Sequence, residues 1–260
     1  MMNKKEQIDL NFKLHAEALA KECNLMQVLS TDNINYIDSG LKADTFNVIH
    51  IETTESISKE EVESVVNFYE NRLRESCIWI ESSKLNTKLE EIFSQLSIVK
   101  SGLNEGMYFS NVNAIKEIEH CSNIYQVDKK QDIIDHAFVI ANNWDPFDVN
   151  VLHYYDRTSS DILNNKKTLL FNYIEDNVVV GVIELFIEKE HPKNAGIYNL
   201  SVMKENRRKG IGEKLIKHTM QVAKNLGIES LFLQASDDSK NLFLKEGFEI
   251  DGEFMEFCKK

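Results

Sequence analysis

Residues 196–227, GIYNLSVMKENRRKGIGEKLIKHTMQVAKNLG, decide the fold. The stretch opens as a strand from Gly196 to Met203, after a hairpin loop at His191 to Asn194. A short polar loop follows. Ile211, Leu215, Val222, Ala223 and Leu226 then recur at helical spacing, and Gly227 is the stop. Between strand and helix stands Arg207-Arg208-Lys209-Gly210-Ile211-Gly212. A helix start leaves backbone N–H groups unpaired, and its dipole favours negative charge. Gly210 and Gly212 remove side chains, so a pyrophosphate can approach the backbone closely. Arg207, Arg208 and Lys209 add positive charge. Each residue of this anion cradle has a physical reason, which a chance turn with incidental glycines lacks.

Two other phosphate-binding patterns fail. A dinucleotide fingerprint needs a third glycine, and Leu215 stands in its place. A P-loop needs Gly-Lys-Ser/Thr, which does not occur.

Working outward, the C-terminal part predicts strands over Ser122–Val127, Thr168–Ile174, Val178–Ile187, Ser230–Ala235 and Phe248–Phe257. Glu175-Asp176-Asn177 reads as a hairpin turn. Helices are expected over Gln131–Asn143 and Asp237–Glu246, the latter capped by Ser236 and stopped by Gly247. The N-terminal part is barer. It predicts an amphipathic first helix, strands at Phe46–Glu52, Cys77–Glu81 and Met107–Ser110, and helices at Lys59–Leu73 and Leu89–Leu96. Its strand-helix-strand-helix-strand order mirrors residues 196–257, which suggests an internal duplication. The expected division is 1–118 and 119–260. The fold class is α/β (α+β): a mixed central sheet with flanking helices.

The R-x-x-G-x-G run after a strand resembles the acyl-CoA pyrophosphate loop of the GNAT N-acetyltransferases. Asn199-Leu200-Ser201-Val202 resembles that family's pantetheine-binding strand, and Leu242 to Phe248 resembles its closing motif. Leu233-Gln234-Ala235-Ser236 and Ala195 to Leu200 are similar to segments of two-half bacterial members, whose first half is degenerate. The resemblance is strong over about Gly181 to Phe248 and looser elsewhere. It implies a GNAT fold in the C-terminal half, a degenerate GNAT-like N-terminal half, and transfer of an acetyl group from acetyl-CoA to a primary amine by direct attack in a ternary complex. It implies cofactor contacts at Leu200, Val202, Arg207, Arg208, Lys209, Gly210, Ile211, Gly212, Ser236 and Phe243. The Val202 backbone N–H would donate to the thioester carbonyl.

The sequence departs from the family where a tyrosine often protonates the leaving thiolate, because Phe243 stands there. Tyr198 is the expected replacement if its side chain points into the cleft, with ordinary packing as the alternative. No carboxylate occupies the base positions at Gly196 and Tyr198. Trp144, Phe147, Tyr154 and Tyr155 fall in the acceptor region, as pocket lining or as aromatic core. The counterpart loop Thr53 to Ser58 lacks glycine and positive charge, so one cofactor per chain is expected. A non-catalytic acyl-CoA-binding protein is the competing reading.

The formal net charge is −12, which argues against nucleic acid as a partner. Against that background residues 204–217 hold six cations and two anions. No apolar run approaches the ~18 residues of a membrane span. The N-terminus lacks a signal peptide's apolar core, so the expected location is cytoplasmic. Four scattered cysteines form no disulfide framework, and seven histidines show no metal-ligand spacing. A homodimer is compatible with the sequence.

Overall fold

The computed structural model describes residues 2–260. The first run of elements is α1 (Lys4–Glu22), β1 (Gln27–Ser30), β2 (Ile34–Asp38), β3 (Val48–Ile51), α2 (Lys59–Glu70), β4 (Cys77–Glu81), α3 (Thr87–Gln95) and β5 (Ile98–Ser110). The second is β6 (Ile124–Gln126), α4 (Lys130–Ala141), α5 (Val149–Asn164), β7 (Thr168–Glu175), β8 (Val178–Ile187), β9 (Asn194–Val202), α6 (Ile211–Asn225), β10 (Ser230–Ala235), α7 (Asp237–Lys245) and β11 (Glu249–Lys259). The strands form one mixed sheet in the order β1-β2-β3-β4-β11-β5-β10-β9-β8-β7-β6. Among the described residues, no helix is long and apolar enough to cross a membrane.

The two runs repeat one pattern. β3 and β4 are parallel over Val48↔Cys77, Ile49↔Ile78 and His50↔Trp79. β9 and β10 are parallel over Asn194↔Ser230, Ala195↔Leu231 and Gly196↔Phe232. In each run a helix connects the pair, and a second helix leads to a last strand. The last strands are exchanged. β5, closing the first run, pairs with β10 of the second. β11, closing the second, pairs with β4 of the first, and β5 and β11 pair with each other at the centre.

One face of the sheet is covered by α2 and α3 over the first run and by α6 and α7 over the second. The other carries α4 and α5, with α1 across the middle. The expected face of α6 is partly revised. Ile211, Leu215, Ile216, Thr219, Met220 and Ala223 are buried, whereas Leu226, the C-cap residue, is half exposed. Gly181 on β8 lets α6 sit close, since a Cβ there would lie 2.7 Å from Ile211. Asp176 and Asn177 both adopt positive φ in the β7–β8 hairpin, as a two-residue turn matching strand twist requires.

α1 is not simply amphipathic. Its buried positions include Asp9, Asn11 and Glu17 beside Ile8, Phe12, Leu19 and Ala20. Asp9 meets His50 at 2.9 Å and Lys84 at 2.6 Å in the first run. Asn11 and His15 reach Glu188 and Glu184 in the second. The polar side of α1 therefore spans both runs.

Candidate functional site

β9 leaves β10 after Gly196, where their pairing ends, although both strands continue. From Tyr198 to Val202, β9 has only β8 beside it, and β10 stays on β5. A bulge marks the separation. Ile183 faces two residues, Asn199 and Leu200, and Asn199 takes φ 55°. Met203 N–H donates to the Val180 carbonyl at 2.9 Å. Alternation in an antiparallel ladder then makes Val202↔Gly181 a non-hydrogen-bonded pair. The Val202 amide and carbonyl consequently point away from β8 into the opening. Its carbonyl accepts from Arg207 Nε at 3.1 Å.

The loop at the mouth is built on two left-handed residues, Arg208 at φ 65° and Gly210 at φ 78°. Gly210 is the N-cap of α6 and has no side chain to satisfy the amides beyond it. Lys214 N–H bonds to the Gly210 carbonyl at 3.1 Å. The amides of Ile211, Gly212 and Glu213 precede the first intrahelical bond and lack an acceptor within the helix. A Cβ on Gly210 would meet no protein atom within 4 Å, so space opens above this backbone. Gly212 serves another purpose. A Cβ there would lie 3.0 Å from Leu242, so its bareness lets α7 pack against α6.

The three cations are unequal. Arg207 braces the loop, donating also to Asn143 Oδ1 at 2.8 Å. Lys209 lies 3.6 Å from Glu175. Arg208 is exposed in its left-handed position. Ser236 stands at the N-cap of α7, but its hydroxyl makes no capping bond, contrary to expectation; it lies 3.3 Å from Ser239 Oγ. Phe243 is buried, its ring set edge to face on Phe248. Leu200 and Val202 pack part-buried against the same core.

On the opposite face the opening is backed by α1. Tyr198 does not offer a free hydroxyl to the cleft. It donates to Asn11 Oδ1 at 2.7 Å, while Asn11 Nδ2 donates to Glu188 at 2.7 Å. Burial, together with Glu188 and Glu184, holds the phenol well above its ordinary pKa. The expected acid role therefore meets a committed proton. The Tyr198 ring stacks on His15, whose Nε2 lies 2.9 Å from Glu184 Oε1. Glu184 Oε2 accepts from Asn199 at 2.9 Å. Burial would raise the Glu184 carboxyl, but the charge and hydrogen bond of His15 and the bond from Asn199 outweigh it and hold it below its ordinary value. Tyr155 is buried beside this group, and Tyr154 stacks on Phe46. Trp144 and Phe147 are exposed on the α4–α5 connection.

The Acetyltransferase (GNAT) family model matches residues 135–248, which include β9, the Arg207–Gly212 loop, β10 and α7. Residues 135–248 are thus similar to the GNAT acetyltransferases. The chloroplastic GCN5-related N-acetyltransferase 7 of Arabidopsis thaliana is 34% identical over 94 residues, a match covering 29% of this chain and about a third (34%) of that relative's length. A GCN5-related N-acetyltransferase from Kribbella flavida shares the fold along the whole chain, with TM-score 0.71, 12% identity, and coverage of 100% of this chain and 96% of that one. A tandem GNAT protein from the clavulanic acid biosynthesis pathway aligns with TM-score 0.60 and 9% identity over 97% of this chain and 94% of its own.

The first run places a different chemistry at the position equivalent to the GNAT loop. Glu61, in the first turn of α2, accepts from the Thr31 hydroxyl at 2.5 Å and from the Asn33 amide and side chain at 2.9 Å each. Its own N–H donates to Ser58. The chain's own carboxylate is thus bound to the β1–β2 turn beside the start of α2. A groove of about 580 Å³, lined by Tyr125, Asp132, Asp135 and Phe138 among others, lies elsewhere, and none of its lining belongs to β9, β10 or α6.

Sequence reasoning missed His15, Asn11, Glu184 and Glu188. One signal was available: Glu184 interrupts the otherwise apolar VVVGVIELFI of β8. His15 carried none, since nothing local says that α1 crosses to the second run.

Proposed function

We propose that the chain transfers an acetyl group from acetyl-CoA to a primary amine, by direct attack of the amine in a ternary complex, in the cytoplasm. The observation that carries this is the alignment of two features. The unpaired Val202 amide faces the β9–β10 opening, and the open backbone at Gly210 with the free amides of Ile211 to Glu213 lies at its mouth. In this reading the pyrophosphate rests on Gly210, Ile211 and Gly212 beside Arg208 and Lys209, with Arg207 bracing the loop. The pantetheine arm runs along Leu200 to Val202, with Ser236 and Phe243 on the far wall. When bound, the thioester supplies an activated acyl carbonyl. Val202 N–H holds its oxygen where negative charge develops.

Calorimetry with acetyl-CoA tests binding, and thiol release in the presence of primary amines tests transfer. Absence of binding overturns the reading. Binding without turnover for any amine favours the second reading, a non-catalytic acyl-CoA-binding protein. Phe243 favours that alternative, because it has no proton to give a thiolate.

A further inference from the structure

We infer that His15, delivered by α1 of the first run and oriented by Glu184, is the base that takes the proton from the attacking amine. This rests on the acetyl-transfer reading above. β9 carries no carboxylate on the α1 face of the opening, and the His15 ring covers Tyr198 there with planes 4° apart. The imidazole Nε2 is fixed on Glu184 Oε1, and the second Glu184 oxygen is fixed by Asn199. A carboxylate accepts only, so Nε2 carries the proton, and in the neutral imidazole the lone pair is on Nδ1. The His15 side chain is 21% exposed, whereas that of Glu184 is 4% exposed. The imidazole can therefore meet a substrate, and the carboxylate acts through it as a positioning residue.

The chemistry balances. The substrate ammonium gives one proton to His15 Nδ1. The freed amine pair forms the C–N bond, the C–S bond breaks, and its electron pair leaves on sulfur. The second nitrogen proton ends on that sulfur as the thiol, and the imidazolium releases its proton to water. Glu184, ionised and buried, stabilises the imidazolium as it forms. Other titratable groups face this pair: Tyr198 on β9, Tyr154 and Tyr155 on α5, His136 on α4, Glu188 just after β8 and Cys23 after α1. The tyrosines are all held above their ordinary values, chiefly by burial. They stay neutral where an imidazole titrates.

The test uses the full chain with acetyl-CoA and a panel of benzylamine, tyramine, lysine and spermidine. His15→Gln can keep the bond to Glu184 without a titrating nitrogen. We expect it to lower kcat by about 100-fold, with acetyl-CoA affinity by calorimetry within twofold of the parent. His15→Ala should recover with added imidazole, more so as pH rises. Independently of turnover, ¹⁵N NMR of the resting protein should show His15 with Nε2 protonated and Nδ1 bare. Unchanged kcat in His15→Gln, failure of imidazole to restore His15→Ala that still binds acetyl-CoA, or an Nδ1-protonated tautomer overturns the assignment. If the parent fails to bind acetyl-CoA, the acetyl-transfer reading falls and the base falls with it. If it binds but turns over no amine on the panel, the tautomer decides.

Discussion

The His15 imidazole lies flat on the Tyr198 ring, centroids 3.6 Å apart, so a helix from the first run and a strand from the second share one stacked pair. This contact requires bare backbone beneath it. A Cβ on Gly196 would stand 2.2 Å from Asn11 Oδ1 and 2.3 Å from the Tyr198 ring. Gly196→Ala should therefore push α1 off its seat and cost about 1–3 kcal/mol. Thermal unfolding reads the loss, and faster proteolysis within residues 4–22 locates it. An unchanged midpoint shows that the stack tolerates the methyl.

Gly210 and Gly212 should fail differently. Gly210→Val imposes a left-handed conformation on a branched residue, at roughly 1–2 kcal/mol or more, and fills the open space above the loop. Acetyl-CoA affinity should drop at least several-fold by calorimetry. Gly212→Ala presses on Leu242 and should lower stability more than affinity. Equal affinity in Gly210→Val removes the pyrophosphate from this loop.

Binding should saturate at one acetyl-CoA per chain. The first run's equivalent loop, Thr53–Ser58, has no glycine and no cation, and Glu61 beside it puts a carboxylate there. Native mass spectrometry gives the count, and two bound molecules contradict it. Glu61→Gln should leave the count at one, because it adds no cation and no glycine.

Tyr198→Phe removes a hydroxyl whose proton is held by Asn11. The expected result is a stability loss of about 1–3 kcal/mol from the unsatisfied Asn11 oxygen, with kcat changed by less than a few-fold. A tenfold fall in kcat at unchanged affinity would return the thiolate's acid to Tyr198. Phe243→Tyr tests the other candidate. A gain in kcat would show that protonation of the thiolate limits the rate.

His136 makes stability sensitive to acid. It is wholly buried, with Nδ1 2.7 Å from Asn172 Oδ1 and Nε2 without a partner among the described residues. Burial depresses its pKa from 6.5 to about 4. Between those values the unfolded chain binds the proton and the folded chain does not. Stability therefore falls as pH drops from 6.5 towards 4, by up to roughly 3 kcal/mol, and levels off below. Denaturation midpoints across this range should fall less steeply for His136→Asn. An identical slope places the acid sensitivity elsewhere.

The elements nearest the Arg207–Gly212 loop were legible because local chemistry sets them. The glycine pair, the cations and the α6 periodicity sit in one continuous stretch. β5 was mostly illegible. Only its last four residues read as strand, since Ile98 to Gly106 is glycine-bearing and polar. Gly102 and Gly106 are needed because Glu256 and Phe254 of β11 lie 2.9 Å and 2.5 Å from where a Cβ would stand, and β11 is over a hundred residues away in the chain. β1 and β2, of four and five residues, were too short for any periodicity to register. His15 and Glu184 were hidden for the same reason as β5. Glu184 looks misplaced until His15 arrives from 169 positions away.

The exchange of β5 and β11 fixes what can be discarded from this polypeptide. Removing residues 1–118 would take away both neighbours of β11 and the strand beside β10. The run with the Arg207–Gly212 loop would be left with a frayed rim of unpaired amides and carbonyls. The first run is thus needed as scaffold for the second, through β4 and β5. Separately produced halves should accordingly be inert alone and regain structure on mixing, each threading its final strand into the other. Substitution in the first run is correspondingly restrained wherever it touches β5 or α1, and also at the Thr53–Ser58 loop, where Ile57 is buried and Ser58 caps α2.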